Sequence, residues 1–92
     1  MQFEWDKEKA ERNLKKHGVG FAEAGTVFGD LSAKMFFDDD HSFDEKREFI
    51  VGYSKMNRLL VVYFTERENR KIRIISARKP TNIEREDYEE NG

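Results

Sequence analysis

The segment from Arg58 to Thr65, RLLVVYFT, is apolar on both faces of an extended chain. A strand of that kind needs cover above and below and a hydrogen-bonded neighbour along each edge, so it belongs at the centre of a sheet. Its neighbours lie close in sequence. Arg47 to Ser54 alternates, with Phe49, Val51 and Tyr53 on one face and Ile50 and Gly52 on the other. Lys71 to Ala77 is the next strand-like run, and Arg73 alternates with Ile72 and Ile74 so as to share the opposite face with Ile75. Lys55–Asn57 and Glu68–Arg70 have turn composition. Connections this short favour an antiparallel meander.

The N-terminal half has a different period. Phe3 and Trp5 alternate as a short strand, and Asp6 is placed to cap a helix over Lys7–Lys16. Ala10, Leu14 and His17 fall on one face of that helix, and Gly18 is its stop signal. A second short helix fits Phe21 to Phe28, and Ala33 to Asp38 fits a further strand. Near the C-terminus, Thr81 and Glu84 make a capping-box pattern for a terminal helix. Its sizeable apolar groups are Ile83 and Tyr88 alone, so it should dock weakly or dock on a partner. The expectation is one α+β domain over residues 1–92, with N-terminal helices on a curled antiparallel sheet and a C-terminal helix.

Charge is distributed in blocks. The formal net charge is −2, yet residues 46–79 carry ten basic and three acidic groups, a net +7 between acidic flanks. A buried basic strand running into an acidic helix, KIRIISARKPTNIEREDYEE at 71–90, suits a phosphate-bearing partner. It also suits an ordinary solvated surface of mixed ion pairs. With no cysteine there is no disulfide framework and no thiolate metal site. The start, MQFEWDKEKA, lacks the apolar core of a signal segment, and the longest apolar run, Leu59–Phe64, is strand-sized. A cytoplasmic protein with no membrane contact is expected.

Several motifs occur together and in order: FEWD at Phe3–Asp6, Lys9, Asn13, KHGV at Lys16–Val19, Phe21, Ala24, VF at Val27–Phe28 and Asp30. They continue with His41-Ser42, Glu45, Arg47, Gly52, Ser54, VVY at Val61–Tyr63, IRIISAR at Ile72–Arg78, Glu84-Arg85 and Tyr88. Along nearly its whole length the chain resembles the BrnT family of toxins from type II toxin–antitoxin modules. The resemblance implies a RelE-like fold and a ribonuclease that arrests translation. It also implies a BrnA-type antitoxin with a ribbon-helix-helix part, through which alone the complex meets DNA. Three positions depart from the family pattern: Leu31 stands where proline is frequent, Asn57 where glycine is common, and Pro80 where alanine is usual.

Metal-independent RNA cleavage requires a base for the 2′-hydroxyl, a cation for the phosphorane-like transition state and an acid for the leaving oxygen. No cofactor or metal is expected. His17 can serve as acid or base, and it can equally serve as a cation at a helix C-terminus. Glu45 and Arg47, two apart, can be base and phosphate clamp or simply an ion pair. Arg73 is the foremost phosphate clamp, with Arg78 at the end of the same strand. Lys16, Arg67, Arg70 and Lys79 are candidate RNA-backbone contacts. His41 follows three aspartates without a second histidine at ligand spacing, which favours a loop role over metal binding. Tyr53 and Tyr63 can stack bases or belong to the core. The RNA would be free or ribosome-bound. The alternatives are a non-catalytic RelE/ParE-like module that poisons a protein target such as gyrase, and a DNA-binding regulator, against which the net negative charge argues.

Overall fold

Leu59, Leu60, Val61, Val62 and Phe64 are all buried, and they divide alternately between two apolar clusters on opposite faces of one sheet. The computed structural model describes residues 1–41 and 46–91. The elements are β1 (Gln2–Glu4), α1 (Lys7–His17), α2 (Phe21–Thr26), β2 (Lys34–Phe37), β3 (Arg47–Tyr53), β4 (Leu59–Arg67), β5 (Lys71–Arg78) and α3 (Asn82–Asn91). Short 3-10 turns occupy Val27–Gly29, Asp39–His41 and Glu68–Arg70. The five strands form one sheet in the order β1-β5-β4-β3-β2.

The meander β2-β3-β4-β5 is antiparallel, as the short turns require. The sheet as a whole is mixed, however, because β1 adds to the edge of β5 in parallel, pairing Phe3 with Ile72 and Glu4 with Arg73. The crossover through α1, α2 and the meander lets the N-terminal strand return beside β5 in that direction. Asn57, in the β3–β4 turn, takes φ +60°, a left-handed conformation that suits glycine and is tolerated by asparagine.

One sheet face is covered by α1 and α2. Val19, Phe21, Ala24 and Val27 meet Ile50, Leu60, Val62, Phe64, Ile72, Ile74 and Ala77 there, with Phe3 and Phe28 packed at the margin. Gly52 keeps the Val27–Ala33 connection tight on β3. A Cβ at that position would lie 2.7 Å from the Ala33 Cβ and 3.0 Å from Asp30 Oδ2, and that carboxylate accepts a 2.8 Å bond from the Tyr53 N–H.

Helix α1 is capped as expected: Asp6 Oδ1 accepts from the N–H groups of Glu8 at 2.9 Å and Lys9 at 3.2 Å, and Gly18 adopts φ +70° at the other end. Its buried residue is Asn13, while Leu14, expected on the core face, is 54% exposed. Asn13 Nδ2 donates to the carbonyls of Val19 at 2.9 Å and Ala77 at 2.8 Å, and its Oδ1 accepts from the Ala77 N–H at 3.1 Å. One amide thus joins α1, the α1–α2 turn and β5, using groups the sheet leaves unpaired. Among the described residues no helix is long and apolar enough to cross a membrane.

Asn13→Ala should lower unfolding free energy by about 2–3 kcal/mol, since it strands buried N–H and C=O groups. Leu14→Ala should change it by under about 0.5 kcal/mol. Urea titration with an unchanged m-value is the measurement; an equal loss in both variants would contradict the assignment.

Candidate functional site

Among the described residues, α3 packs on one end of the second sheet face. There Tyr88 of α3 packs with Val51, Leu59 and Val61, meets Tyr53 edge-on at 6.2 Å between ring centroids, and donates its hydroxyl to the Ser32 carbonyl at 3.2 Å. The Tyr88 hydroxyl pKa is raised, first by burial and then by Asp30 and Tyr53. The capping box holds the start of this helix: the Glu84 N–H donates to Thr81 Oγ1 at 3.2 Å, and Glu84 Oε1 accepts from the Thr81 N–H at 2.8 Å. Ile83 is 73% exposed, so docking rests on Tyr88 and Glu84.

The other end of this face carries the arginines in a half-buried row, with Thr65 at its centre 2% exposed and the Arg47 Nε buried. Register sets Arg47 opposite Thr65, Thr65 opposite Arg73, and Arg73 opposite Glu4, which makes one row across β3, β4, β5 and β1. Arg47 and Arg73 stand two strand spacings apart, about 10 Å between backbones. Arg73 Nη1 donates to Glu4 Oε2 at 2.9 Å, with each side chain about one-third exposed. Arg67 lies opposite Lys71 two residues further along, on the same face. Beside the row, Phe49 stacks against Phe36 at 5.0 Å and packs against Tyr63 at 5.3 Å.

Arg78 reaches this face through an irregularity. Tyr63 pairs with Ser76 and Phe64 pairs with Ile74, which leaves Ile75 as the extra residue of a β-bulge. Strict alternation would put Arg73 and Arg78, five residues apart, on opposite faces. The bulge instead sends Ala77 into the core with Ile72 and Ile74, and turns Arg78 toward Tyr63. The Arg78 guanidinium grips Glu84 in a fork, at 2.7 and 2.9 Å, and lies 3.4 Å from the Tyr63 hydroxyl. This pairing, stronger than the opposing cost of burial, draws the Glu84 carboxyl pKa down to about 2 and raises that of Arg78.

The remaining candidates lie elsewhere. His17 closes α1, half-buried in the helical layer, so the sheet separates it from the arginine row; with Lys15 and Lys16 it places cationic side chains in the last turn. Lys16 is exposed on that layer, Arg70 is exposed in the β4–β5 turn, and Lys79 is exposed after β5. Glu45 lies outside the described residues, as does the side chain of His41, whose backbone belongs to the Asp39–His41 turn. Arg58, part of the basic block, is structural: it pairs with Glu23 of α2, its Nε donating at 2.9 Å and its Nη2 making a shorter contact, and it also donates to the Gly18 carbonyl at 3.1 Å. Ser54 Oγ donates to the same Glu23 at 2.6 Å. Glu4 and Glu84 enter the site although the sequence singled them out only as members of the FEWD and Glu84-Arg85 motifs and, for Glu84, as a capping-box position.

Comparison with known proteins bears on the family and the fold. The family model described as "Ribonuclease toxin, BrnT, of type II toxin-antitoxin system" matches residues 5–84. The crystal structure of the Brucella abortus ribonuclease toxin BrnT is similar at a TM-score of 0.68 and 26% identity, covering 89% of this chain and 99% of that one. No curated protein matches.

The depressed Glu84 pKa sets an acid limit on the docking of α3. The unfolded carboxyl titrates near 4.5 and the folded one near 2, so the stabilisation is complete above pH 4.5 and fades as pH falls toward 2. Amide exchange in α3 should accelerate across that window in the wild type. In Glu84→Gln it should be fast already at pH 6; protection in that variant equal to wild type would contradict the pairing.

Proposed function

This chain belongs to the BrnT family of ribonuclease toxins of type II toxin–antitoxin systems, and we propose that it is an endoribonuclease that cleaves RNA at the half-buried arginine row on the second face of its sheet. The observation that carries this reading is the row Arg47–Thr65–Arg73–Glu4, with exposed aromatic surface beside it.

In the proposed reaction the 2′-hydroxyl gives its proton to Glu45 and attacks the adjacent phosphorus, the P–O5′ bond breaks to leave a 2′,3′-cyclic phosphate, and the departing 5′-oxygen takes a proton from water. Arg47 and Arg73 hold the non-bridging oxygens and gain strength as negative charge builds in the transition state. This supply of positive charge needs no metal ion. Glu4 is bonded to Arg73, and Glu45 lies two residues before Arg47 in the sequence. Glu45 is the proposed base and Glu4 orients Arg73. Arg78, engaged by Glu84, positions Tyr63 and α3 rather than phosphate. Arg67, Arg70, Lys79 and Lys16 contribute backbone attraction, and His17 caps α1.

An antitoxin partner follows from the family. We assign it the BrnA type, with a ribbon-helix-helix part that carries the complex to DNA, and we assign the toxin a RelE-like fold, a cytoplasmic setting and arrest of translation as its effect. These finer assignments rest on the motif resemblance.

Single-turnover cleavage of naked RNA in EDTA tests the chemistry. Arg47→Ala and Arg73→Ala should each lower the rate about 10²–10³-fold. Arg70→Ala should leave the bound rate unchanged, weaken binding, and lower the slope of log K against log salt by about 0.7–1. Full activity in both row variants would overturn the site, and loss of activity in EDTA would overturn metal independence. Growth arrest with DNA damage and intact RNA would point instead to a gyrase-directed module.

A further inference from the structure

Among the described residues the buried polar side chains are Asn13, Ser54 and Thr65. Asn13 lies on α1 and Ser54 bonds Glu23 of α2, so both serve the helical layer. Thr65 lies on the second face instead, with Arg47 and Arg73 directly opposite it on the two neighbouring strands. Its burial keeps it out of reach of RNA, yet its hydroxyl donates to the Lys46 carbonyl at 2.8 Å. That carbonyl belongs to the peptide that leads into Arg47. The carbonyl of Arg47 itself accepts from the Asp38 N–H at 2.9 Å. The Lys46 ammonium stands 4.6 Å from the centre of the Phe37 ring. The backbone on both sides of Arg47 is therefore held, from β4 by a hydroxyl and from the β2 side by an amide and a ring.

We propose that Thr65 is a positioning residue for RNA cleavage: its hydroxyl fixes the peptide before Arg47, and so the direction in which the Arg47 guanidinium meets phosphate. The proposal rests on the ribonuclease reading above and adds a role within that same site. A guanidinium stabilises the transition state most when its fork is already aimed, because no reorganisation is left to the moment of reaction. A long side chain magnifies any rotation of its own peptide, and a displacement of about 1 Å at the reacting atoms can cost about 10²-fold in rate. Arg47 is the first residue of β3, so the ladder continues from it in one direction only. The Thr65 hydroxyl supplies the hold on the other side. Arg73 needs no such help, since it lies within β5 between the paired residues Ile72 and Ile74 and bonds Glu4. Threonine suits the role because a β-branched side chain on a strand has few rotamers to choose from. Valine has nearly the same shape and no donor.

The test compares Thr65→Val and Thr65→Ser with Ser54→Ala, which removes a buried hydroxyl far from the row. Two quantities are read: the nitrogen NMR signal of the Arg47 Nε in the folded chain, and the single-turnover rate of RNA cleavage. Thr65→Val should move or broaden the Arg47 signal and lower the bound rate about 10- to 100-fold, while RNA affinity changes by less than about twofold. Thr65→Ser should restore the signal and bring the rate to within about threefold of wild type. Ser54→Ala should lower the urea midpoint and move neither quantity. In an Arg47→Ala background Thr65→Val should cost nothing further, because the two residues act as a unit. Thr65→Ala takes the place of valine if valine unfolds the chain. An Arg47 signal unmoved by loss of the hydroxyl overturns the proposal whether or not RNA is cut. A moved signal with an unchanged rate, or a full cost of Thr65→Val without Arg47, overturns it and keeps the ribonuclease reading. A signal moved by valine and restored by serine, in a chain whose wild type cuts no RNA, supports the hold on Arg47 and counts against the ribonuclease reading.

Discussion

A central strand that is apolar on both faces must be covered on both, and β4 is such a strand from Leu59 to Phe64. The chain covers the central strands on the first face with α1 and α2, while Met35 and Phe37 of the edge strand β2 stay exposed. On the second, among the described residues, the short helix α3 packs on one end, anchored by Tyr88 and Glu84. The polar residues of β3, β4 and β5 gather beyond it in a half-buried row.

Two local devices organise that row. The bulge at Ile75 reverses the side-chain phase within β5, which brings Arg78 to the face that Arg73 occupies. Asn13 then joins the far end of β5 to α1 and the α1–α2 turn through Ala77 and Val19. The strand is held from behind by an amide and in front by a guanidinium fork to α3. Such bracing fixes the directions in which cations point, which a phosphate clamp requires.

Much of this was legible in the sequence. Alternation marked β3 and β5, doubled apolarity marked β4 as central, and Asp6, Gly18, Thr81 and Glu84 marked the helix ends. Three features were not. Asn13 reads as solvent-facing beside Leu14, because its burial depends on backbone groups supplied from residue 77, far away in sequence. The bulge is invisible to a period-two pattern, since the isoleucines of β5 continue through it without interruption. The parallel pairing of β1 depends on a crossover that three residues of strand signal cannot reveal. Arg47, Arg73 and Arg78 were singled out from charge and position, but which of them faced a helix carboxylate required the coordinates.

The central claim is that RNA lies at the arginine row of the second sheet face and not on the helical layer where His17 and Lys16 sit. The most direct measurement is NMR shift mapping with a short RNA that carries 2′-O-methyl groups and so cannot be cut. Amide shifts concentrated on Arg47, Phe49, Thr65 and Arg73 are expected, with residues 14–18 unmoved. Shifts concentrated around Lys16–Gly18, with the arginine row silent, would contradict the claim.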